Sequence, residues 1–322
     1  MGTHSVKYAT RADPEADDWW RKFTRASILC TPMETIRILP ATNGATLGYR
    51  LLRRAAAPRR LIVMLHGVAS NMSRWSEFVE HTSLKQTWDM LRPDLRGHGE
   101  SFSRGRLSLE IWCRDLRDIL DAEGYEQALL IGHSLGAQVA VQFAARYPAR
   151  VRGLVLIDPI FHQALRGGMR VLSRLRPAVS LLAVLLRLLN RLGLRRRHIP
   201  VRDLRKLDEK TRQDLLAAGK QTEMIELYSS PWEDLKYFPT ASFLQEVIEI
   251  SRPLPALTQI RVPILALLSS GITYTDPGIT QKMLAGNARA QTVMVDAYHW
   301  PLTEKPQQVR EAIEKWCERF DS

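Results

Sequence analysis

The sequence predicts an α/β fold built on a mostly parallel sheet, and two observations support this. Short apolar runs typical of buried strands alternate along the chain with amphipathic helical segments, as successive strand–helix–strand units require. One long stretch without strand signals interrupts the alternation and is helical throughout. We therefore expect an N-terminal arm (1–32), a core made of residues 33–159 and 253–322, and a helical lid (160–252) inserted after the sixth strand.

The predicted elements follow in chain order. Residues 34–39 and 46–52 form a hairpin around Asn43-Gly44, a dipeptide that favours tight turns. The later strands are apolar runs and the helices show a period of 3.6 residues. We place these strands at 60–65, 128–131, 153–157, 262–268 and 291–295, and the helices at 107–122, 137–147 and 306–320.

The segment Gly132-His133-Ser134-Leu135-Gly136 has the pattern G-x-S-x-G. It lies between a predicted buried strand and a predicted helix, which is the context of a nucleophile elbow. Such a strand–turn–helix holds a serine hydroxyl at the edge of a sheet, and the helix N-terminus directs free N–H groups at a developing oxyanion. We therefore predict that Ser134 is a nucleophile rather than part of an ordinary glycine-rich turn.

A nucleophilic serine needs a general base, and His299 is our candidate among eight histidines. It follows the last predicted strand and precedes the last predicted helix, where the base of this architecture belongs. The other histidines lie before the serine, inside the elbow, or in or beside the middle insertion.

Two aspartates compete for the role of the acid that orients the histidine. Asp276 lies in the loop after strand 262–268, and Asp158 ends strand 153–157 and is followed by Pro159. Both positions fit the rule that catalytic groups gather at the carboxyl ends of strands. An Asp-Pro pair is also a common way to end a strand, so we favour Asp276 and keep Asp158 as the alternative acid.

The oxyanion hole of such a site normally uses two backbone N–H groups. Leu135, the residue after the nucleophile, supplies one, and Val68, in the loop after strand 60–65, supplies the other. These features together resemble the α/β-hydrolase superfamily, and in particular its serine esterases, lipases and C–C bond hydrolases. The matching pieces are His66-Gly67 with Trp75, Pro93 to Ser101, Gly132 to Gly136, Leu156 to Pro159, and Tyr298-His299.

The resemblance implies an eight-stranded, mostly parallel sheet flanked by helices, with a helical lid inserted after strand 6. It also implies an acid after the seventh strand, which favours Asp276, and a reaction that needs no metal or cofactor. Dehalogenases and epoxide hydrolases of this superfamily use an aspartate nucleophile, so Ser134 argues against both chemistries. The chain departs from the family in having Tyr298 before the histidine, where a glycine is usual, and in placing Asp276 five residues beyond Gly271.

The net charge of +12 is concentrated in the predicted lid. Residues 166–206 contain twelve Lys or Arg and one acid, Asp203, among many leucines, as in a basic amphipathic helix. One interpretation is a lid whose apolar face covers the active site while its arginines are solvated. A second is that the segment also contacts an anionic membrane or lipid surface. Nucleic acid is disfavoured because this stretch lacks aromatic residues and nucleic-acid motifs.

Composition limits the other choices. No apolar run approaches the ~18 residues of a membrane span, and the N-terminus lacks the apolar core of a signal peptide. Three scattered cysteines, Cys30, Cys113 and Cys317, indicate a reducing compartment and have no metal-binding spacing. We expect a cytoplasmic protein, peripheral at a membrane surface if the lid binds lipid, with its oligomeric state left open.

The expected reaction is hydrolysis of a carboxylic ester with a hydrophobic acyl group, because Met169 and the lid leucines predict an apolar pocket. Alternatives with the same catalytic residues are a C–C bond hydrolase of diketo acids, a thioesterase and a lactonase. A non-catalytic ligand-binding protein of the same fold is a further alternative.

Overall fold

The computed structural model describes residues 34–41, 44–54 and 59–320. The predicted N-terminal arm, Cys30 and Asn43 of the predicted turn lie outside these residues. The two described cysteines, Cys113 and Cys317, are buried free thiols.

Eight strands form a single sheet in the order β1-β2-β4-β3-β5-β6-β7-β8. Strand β2 is antiparallel to both of its neighbours, and all later pairs are parallel. The mostly parallel eight-stranded sheet is thus confirmed. The strands are β1 (Glu34–Pro40), β2 (Thr46–Leu52), β3 (Leu61–Leu65), β4 (Asp89–Pro93), β5 (Ala128–His133), β6 (Val151–Ile157), β7 (Ile264–Ser269) and β8 (Ala290–Val295).

Helices flank the sheet, and six of the α-helices in the described residues lie between β6 and β7. The helices of the core are α1 (Ser76–His81), α2 (Leu109–Glu123), α3 (Leu135–Arg146), α10 (Pro277–Ala285), α11 (Pro301–Glu304) and α12 (Pro306–Cys317). Those between β6 and β7 are α4 (Gly167–Arg174), α5 (Arg176–Arg191), α6 (Leu204–Thr211), α7 (Gln221–Ser229), α8 (Pro231–Tyr237) and α9 (Thr240–Ile250).

Both faces of the sheet are covered, and this explains the continuous apolar runs of the central strands. One apolar cluster includes Trp112 of α2 and Phe143 of α3. The other, on the opposite face, includes Trp75 and Trp316 of α12. Strands β3 and β5 lie between these clusters, so every residue of both is buried.

The last predicted helix, 306–320, corresponds to α12 and a short 3-10 turn that ends at Phe320, and a separate short helix, α11, precedes it. Lys305 separates α11 from α12 because its backbone leaves the helical region before Pro306, and the residue before a proline disfavours the α conformation. Glu304, the last residue of α11, is thereby turned toward the loop that carries His299.

Candidate active site

Ser134 occupies a sharp turn between β5 and α3. Its φ of 52° and ψ of −114° are strained for a residue with a side chain, and its N–H donates a hydrogen bond to the Ile157 carbonyl oxygen at 2.9 Å. The flanking glycines are required by close packing. A Cβ on Gly132 would lie within 3.0 Å of the Gly136 backbone, and one on Gly136 would lie that close to the Leu65 backbone.

His299 lies beside Ser134, in the loop after β8. Its Nε2 is 3.1 Å from Ser134 Oγ, within hydrogen-bonding distance. The backbone of His299 is held at both ends: its N–H donates to Ser269 Oγ at 3.2 Å, and its carbonyl accepts from His133 Nε2 at 2.8 Å. The Tyr274 ring packs edge-on against the imidazole, with centroids 4.8 Å apart.

Asp158 is the carboxylate that the structure brings to the other side of this histidine. Its Oδ2 lies 3.9 Å from His299 Nδ1, longer than a hydrogen bond but close enough to form an ion pair when the imidazole is protonated. Both carboxylate oxygens also accept from Ser269: Oδ1 from its N–H at 2.6 Å and Oδ2 from its hydroxyl. Ser269 therefore connects the Asp158 carboxylate to the backbone of His299.

The favoured acid, Asp276, is placed elsewhere, so the structure does not support the sequence-based preference. Its carboxylate pairs with Arg166 and accepts from the Ile279 N–H at 3.0 Å, as the cap of helix α10. The Arg166 guanidinium lowers the pKa of Asp276, and the hydrogen bond from the Ile279 N–H lowers it further. No hydrogen bond or ion pair joins Asp276 to His299 among the described residues.

Backbone strain is concentrated at this site. Among the described residues, four that are not glycine have a positive φ: Ala69, Ser134, Asp158 and His299. Three of these are the serine, the histidine and the aspartate beside it, and Ala69 adjoins Val68. Strain of this kind persists only where the surrounding structure imposes it and is typical of functional sites.

The two residues proposed as oxyanion donors both lie beside Ser134. Leu135 is the first residue of α3, and Val68 lines the same cavity as Ser134 and His299. In the part of the chain that the structure describes, neither N–H has a protein acceptor. Both amides are thus available to a ligand oxygen.

A cavity of about 190 Å³ opens on Ser134 and His299. Most of its wall is apolar, and the insertion between β6 and β7 supplies much of it. The apolar and aromatic lining residues are Val68, Ile160, Met169, Leu172, Tyr228, Pro231, Phe243, Val247, Ile250, Tyr274 and Trp300. Among the described residues, no group of three or more His, Cys, Asp or Glu side chains could hold a metal ion.

The profile of the alpha/beta hydrolase family matches residues 62–312, more than half of the chain. The chain belongs to the alpha/beta hydrolase family. Among curated proteins, it is 36% identical over 112 residues to an uncharacterized protein of Mycobacterium tuberculosis, a match that covers 34% of this chain and 32% of that protein. It is 32% identical over 104 residues to lipase LipV of the same organism, which covers 32% of this chain and 38% of the lipase. The chain thus spans about a third of the length of these relatives.

A solved structure shares the fold over most of both chains. The thermophilic esterase from Thermogutta terrifontis superposes with a TM-score of 0.62 at 21% identity, over 88% of this chain and 98% of the esterase. At that identity the likeness concerns the alpha/beta hydrolase fold alone.

Burial sets the ionisation of the pair beside Ser134. It lowers the pKa of His299 well below its ordinary value, and the neighbouring His133 ring lowers it further. Burial also raises the pKa of Asp158 to about 6, against the opposing effect of the Ser269 hydrogen bonds. Near neutral pH this alpha/beta hydrolase therefore holds a neutral imidazole next to an ionised carboxylate.

Two positioning residues were missed by the sequence analysis. Ser269 ends β7, and nothing in the sequence distinguishes it from Ser270, which it precedes. Glu304 accepts from the N–H groups of Tyr298 and Trp300 at 2.8 and 3.2 Å, so it holds the loop on both sides of His299. Its position as an acidic residue in the first turn of a helix that begins with Pro301 was the available signal.

Tyr298, which replaces the glycine usual in this family, packs on Gly271. A Cβ on Gly271 would lie within 3.0 Å of the Tyr298 ring, so the glycine after β7 accommodates the tyrosine before the histidine.

The expected contribution of the leucines between residues 166 and 206 to the pocket needs correction. Met169 and Leu172 of α4 line the cavity, as an apolar pocket requires. The leucines of α5 do not, and most of them are exposed to solvent. Helix α5 packs with its Ala183 side inward, so its leucine-rich side faces away from the protein.

Proposed function

We propose that this chain is a serine hydrolase that cleaves carboxylic esters with a hydrophobic acyl group through an acyl-enzyme intermediate. The observation that carries the proposal is the 3.1 Å contact between His299 Nε2 and Ser134 Oγ at the end of an apolar cavity. A serine beside a neutral histidine, with two free amides nearby, matches the requirements of nucleophilic acyl transfer.

In the proposed mechanism, Ser134 Oγ attacks the ester carbonyl while His299 Nε2 takes the hydroxyl proton. The N–H groups of Leu135 and Val68 stabilise the oxyanion, and the Asp158 carboxylate stabilises the imidazolium. His299 then protonates the alcohol as the carbon–oxygen bond of the ester breaks. Water attacks the acyl-enzyme with His299 again as base, which releases the acid and restores Ser134.

The charges in the cavity wall favour an uncharged acyl group. Arg74 lines the cavity, but its guanidinium pairs with Asp208 and contacts Thr303 Oγ1 at 3.0 Å. Asp234 adds a carboxyl group whose pKa burial raises to about 7, and in its ionised form it would repel an anionic substrate. An anionic diketo acid would need a cation in the cavity wall that no carboxylate of the protein neutralises. Because Arg74 is paired with Asp208, the C–C bond hydrolase is the weaker candidate.

The test is hydrolysis of p-nitrophenyl esters of increasing acyl length by wild type, Ser134→Ala and Ser229→Ala. As long as the acyl chain of the ester fits inside the cavity, each further methylene that is buried should contribute about 0.8 kcal/mol, or roughly a fourfold rise in kcat/KM. Ser134→Ala should lower kcat by roughly 10⁴-fold or more. Ser229→Ala, a second serine of the cavity wall, is the matched control and should stay near wild type.

The outcomes separate the alternatives. Turnover that survives Ser134→Ala would refute the nucleophile, and a maximum on the shortest esters would refute the hydrophobic acyl group. Absence of turnover on every ester, with normal folding, would direct the assay to thioesters, lactones and diketo acids. Failure of wild type to react with a fluorophosphonate as well would favour a non-catalytic ligand-binding protein.

The pH profile provides a further prediction. Catalysis needs neutral His299 and ionised Asp158. The pKa of His299 is lowered and that of Asp158 is raised to about 6, so Asp158 is the first to lose its active form as pH falls. We expect kcat/KM to be flat near neutral pH and to fall about tenfold per pH unit below pH 6. An acid limb that is unchanged in Asp158→Asn would contradict this assignment.

A further inference from the structure

Helix α5 has an apolar face that no described part of the protein covers. Only Ala183 of its sixteen residues is fully buried, against α9, and Arg187 Nη1 donates to Gln245 Oε1 of α9 at 2.9 Å beside it. Seven large apolar side chains on the other side of α5 and just after its end are 41% to 79% exposed. They are Leu181, Leu182, Val184, Leu185, Leu188, Leu189 and Leu192.

This face is continuous and uncharged. At 3.6 residues per turn, the seven side chains spread over roughly 160° on the side opposite Ala183. Every residue of α5 in that sector is Leu, Val, Ala or Pro. The seven side chains extend over about 17 Å along the helix axis at ~1.5 Å per residue, and they form one continuous patch rather than the scattered exposed leucines normal on a soluble protein.

Arginines without acidic partners lie on α5 and on the segments directly before and after it. Arg170, Arg174, Arg191, Arg195 and Arg197 are exposed, and none of them forms an ion pair with a carboxylate of the described residues. Other arginines here repel one another: the pKa of Arg187 is lowered by partial burial and then by Arg106 and Arg191. The surface around α5 is therefore positively charged and lacks a compensating anion from this part of the protein.

Helix α5 directly follows, in the chain, a helix that lines the catalytic cavity. Helix α4, which carries the cavity residues Met169 and Leu172, ends at Arg174, and α5 begins two residues later. A partner bound along α5 would therefore lie close to a helix that lines the cavity of Ser134.

We propose that helix α5 and its flanking arginines dock on an anionic lipid surface. A helix with a wide apolar side and basic flanks lies in the plane of a bilayer interface, with leucines among the acyl chains and guanidinium groups at the phosphates. No helix among the described residues is both long and apolar enough to cross a membrane, so this contact is at the surface.

The charge and composition of the α5 face favour an anionic lipid surface over a second copy of the chain or a nucleic acid. A second copy of the chain in a two-fold dimer would bring two sets of unpaired arginines together, which costs electrostatic energy. Nucleic acid would use the arginines but would leave the leucines exposed to water. An anionic bilayer satisfies both the apolar face and the charge.

The experiment is co-sedimentation of the full chain with phosphatidylcholine vesicles that contain or lack phosphatidylglycerol, at low and high salt. We expect binding only to the anionic vesicles, weakened by salt. Replacing Arg174, Arg191 and Arg195 with Gln should weaken the binding roughly a hundredfold, at about fivefold per arginine. Leu181→Gln/Leu185→Gln/Leu188→Gln should weaken it by more than about tenfold.

Matched controls carry the same changes elsewhere. Arg152→Gln/Lys282→Gln/Lys315→Gln removes three exposed cations outside residues 166–206, and Ile36→Gln/Ile38→Gln/Met294→Gln removes three exposed apolar side chains of strands β1 and β8. Both should bind like wild type, as should Ser134→Ala, so this result is independent of catalysis. Circular dichroism and thermal unfolding of each variant check that it is folded.

Several results would overturn the proposal. Wild type that does not bind anionic vesicles refutes it, as does binding that both α5 variants retain. A wild-type dimer in light scattering that becomes a monomer in the leucine variant, without vesicle binding, would assign the face to self-association instead.

Discussion

Replacing Asp158 with asparagine is expected to lower kcat/KM by roughly 10³- to 10⁴-fold, whereas Asp276→Asn should change it by less than about threefold. The reason is position: Asp158 Oδ2 is 3.9 Å from His299 Nδ1, and the Asp276 carboxylate pairs with Arg166. Without a carboxylate at residue 158, the imidazolium formed during acyl transfer loses its compensating charge.

The comparison is made on a reactive ester under saturating and limiting substrate, with unfolding curves for both variants. Asp276→Asn is the matched control, because it makes the same chemical change at the position that the sequence favoured. A large loss of kcat in Asp276→Asn with Asp158→Asn near wild type would mean that the loop after β7 rearranges in the working enzyme.

Gly136→Ala is expected to destabilise the fold by more than about 3 kcal/mol, and the variant should be recovered mostly as insoluble protein. Its Cβ would overlap the backbone of Leu65 in strand β3, which no rotamer change can relieve. Gly168→Ala is the control. A Cβ at Gly168 meets no atom within 4 Å, so that variant should stay within about 1 kcal/mol of wild type in chemical denaturation. A soluble Gly136→Ala protein with wild-type stability would contradict the close packing at the elbow.

The sequence predicts well those elements whose burial is compatible with only one kind of secondary structure. Residues 60–65 and 128–131 are continuous apolar runs because β3 and β5 are covered on both faces, and runs this short are typical of strands rather than helices. The elbow was predictable for a related reason. Only glycine fits at position 132, against the start of α3, and at position 136, against the backbone of β3, so the close packing requires these residue types.

The acid could not be chosen in this way. Asp158 and Asp276 both follow strands of the same parallel sheet, and the residues near each one are compatible with either role. The choice depends on partners distant in the chain: Ser269 bonds to both oxygens of Asp158, and Arg166 pairs with Asp276. Such contacts leave no local periodicity or spacing.

The local sequence pattern alone indicated the strands, the turn at Ser134 and the position of His299 after the last strand. These features are visible in the sequence because spacing and burial impose their residue types within a few positions. The tertiary structure alone decided which carboxylate faces His299 and which side of α5 faces water. Periodicity places the α5 leucines on one side of the helix but does not state what that side packs against. Here the small residue Ala183 fits against α9, so the leucines and the unpaired arginines beside them are left on the surface.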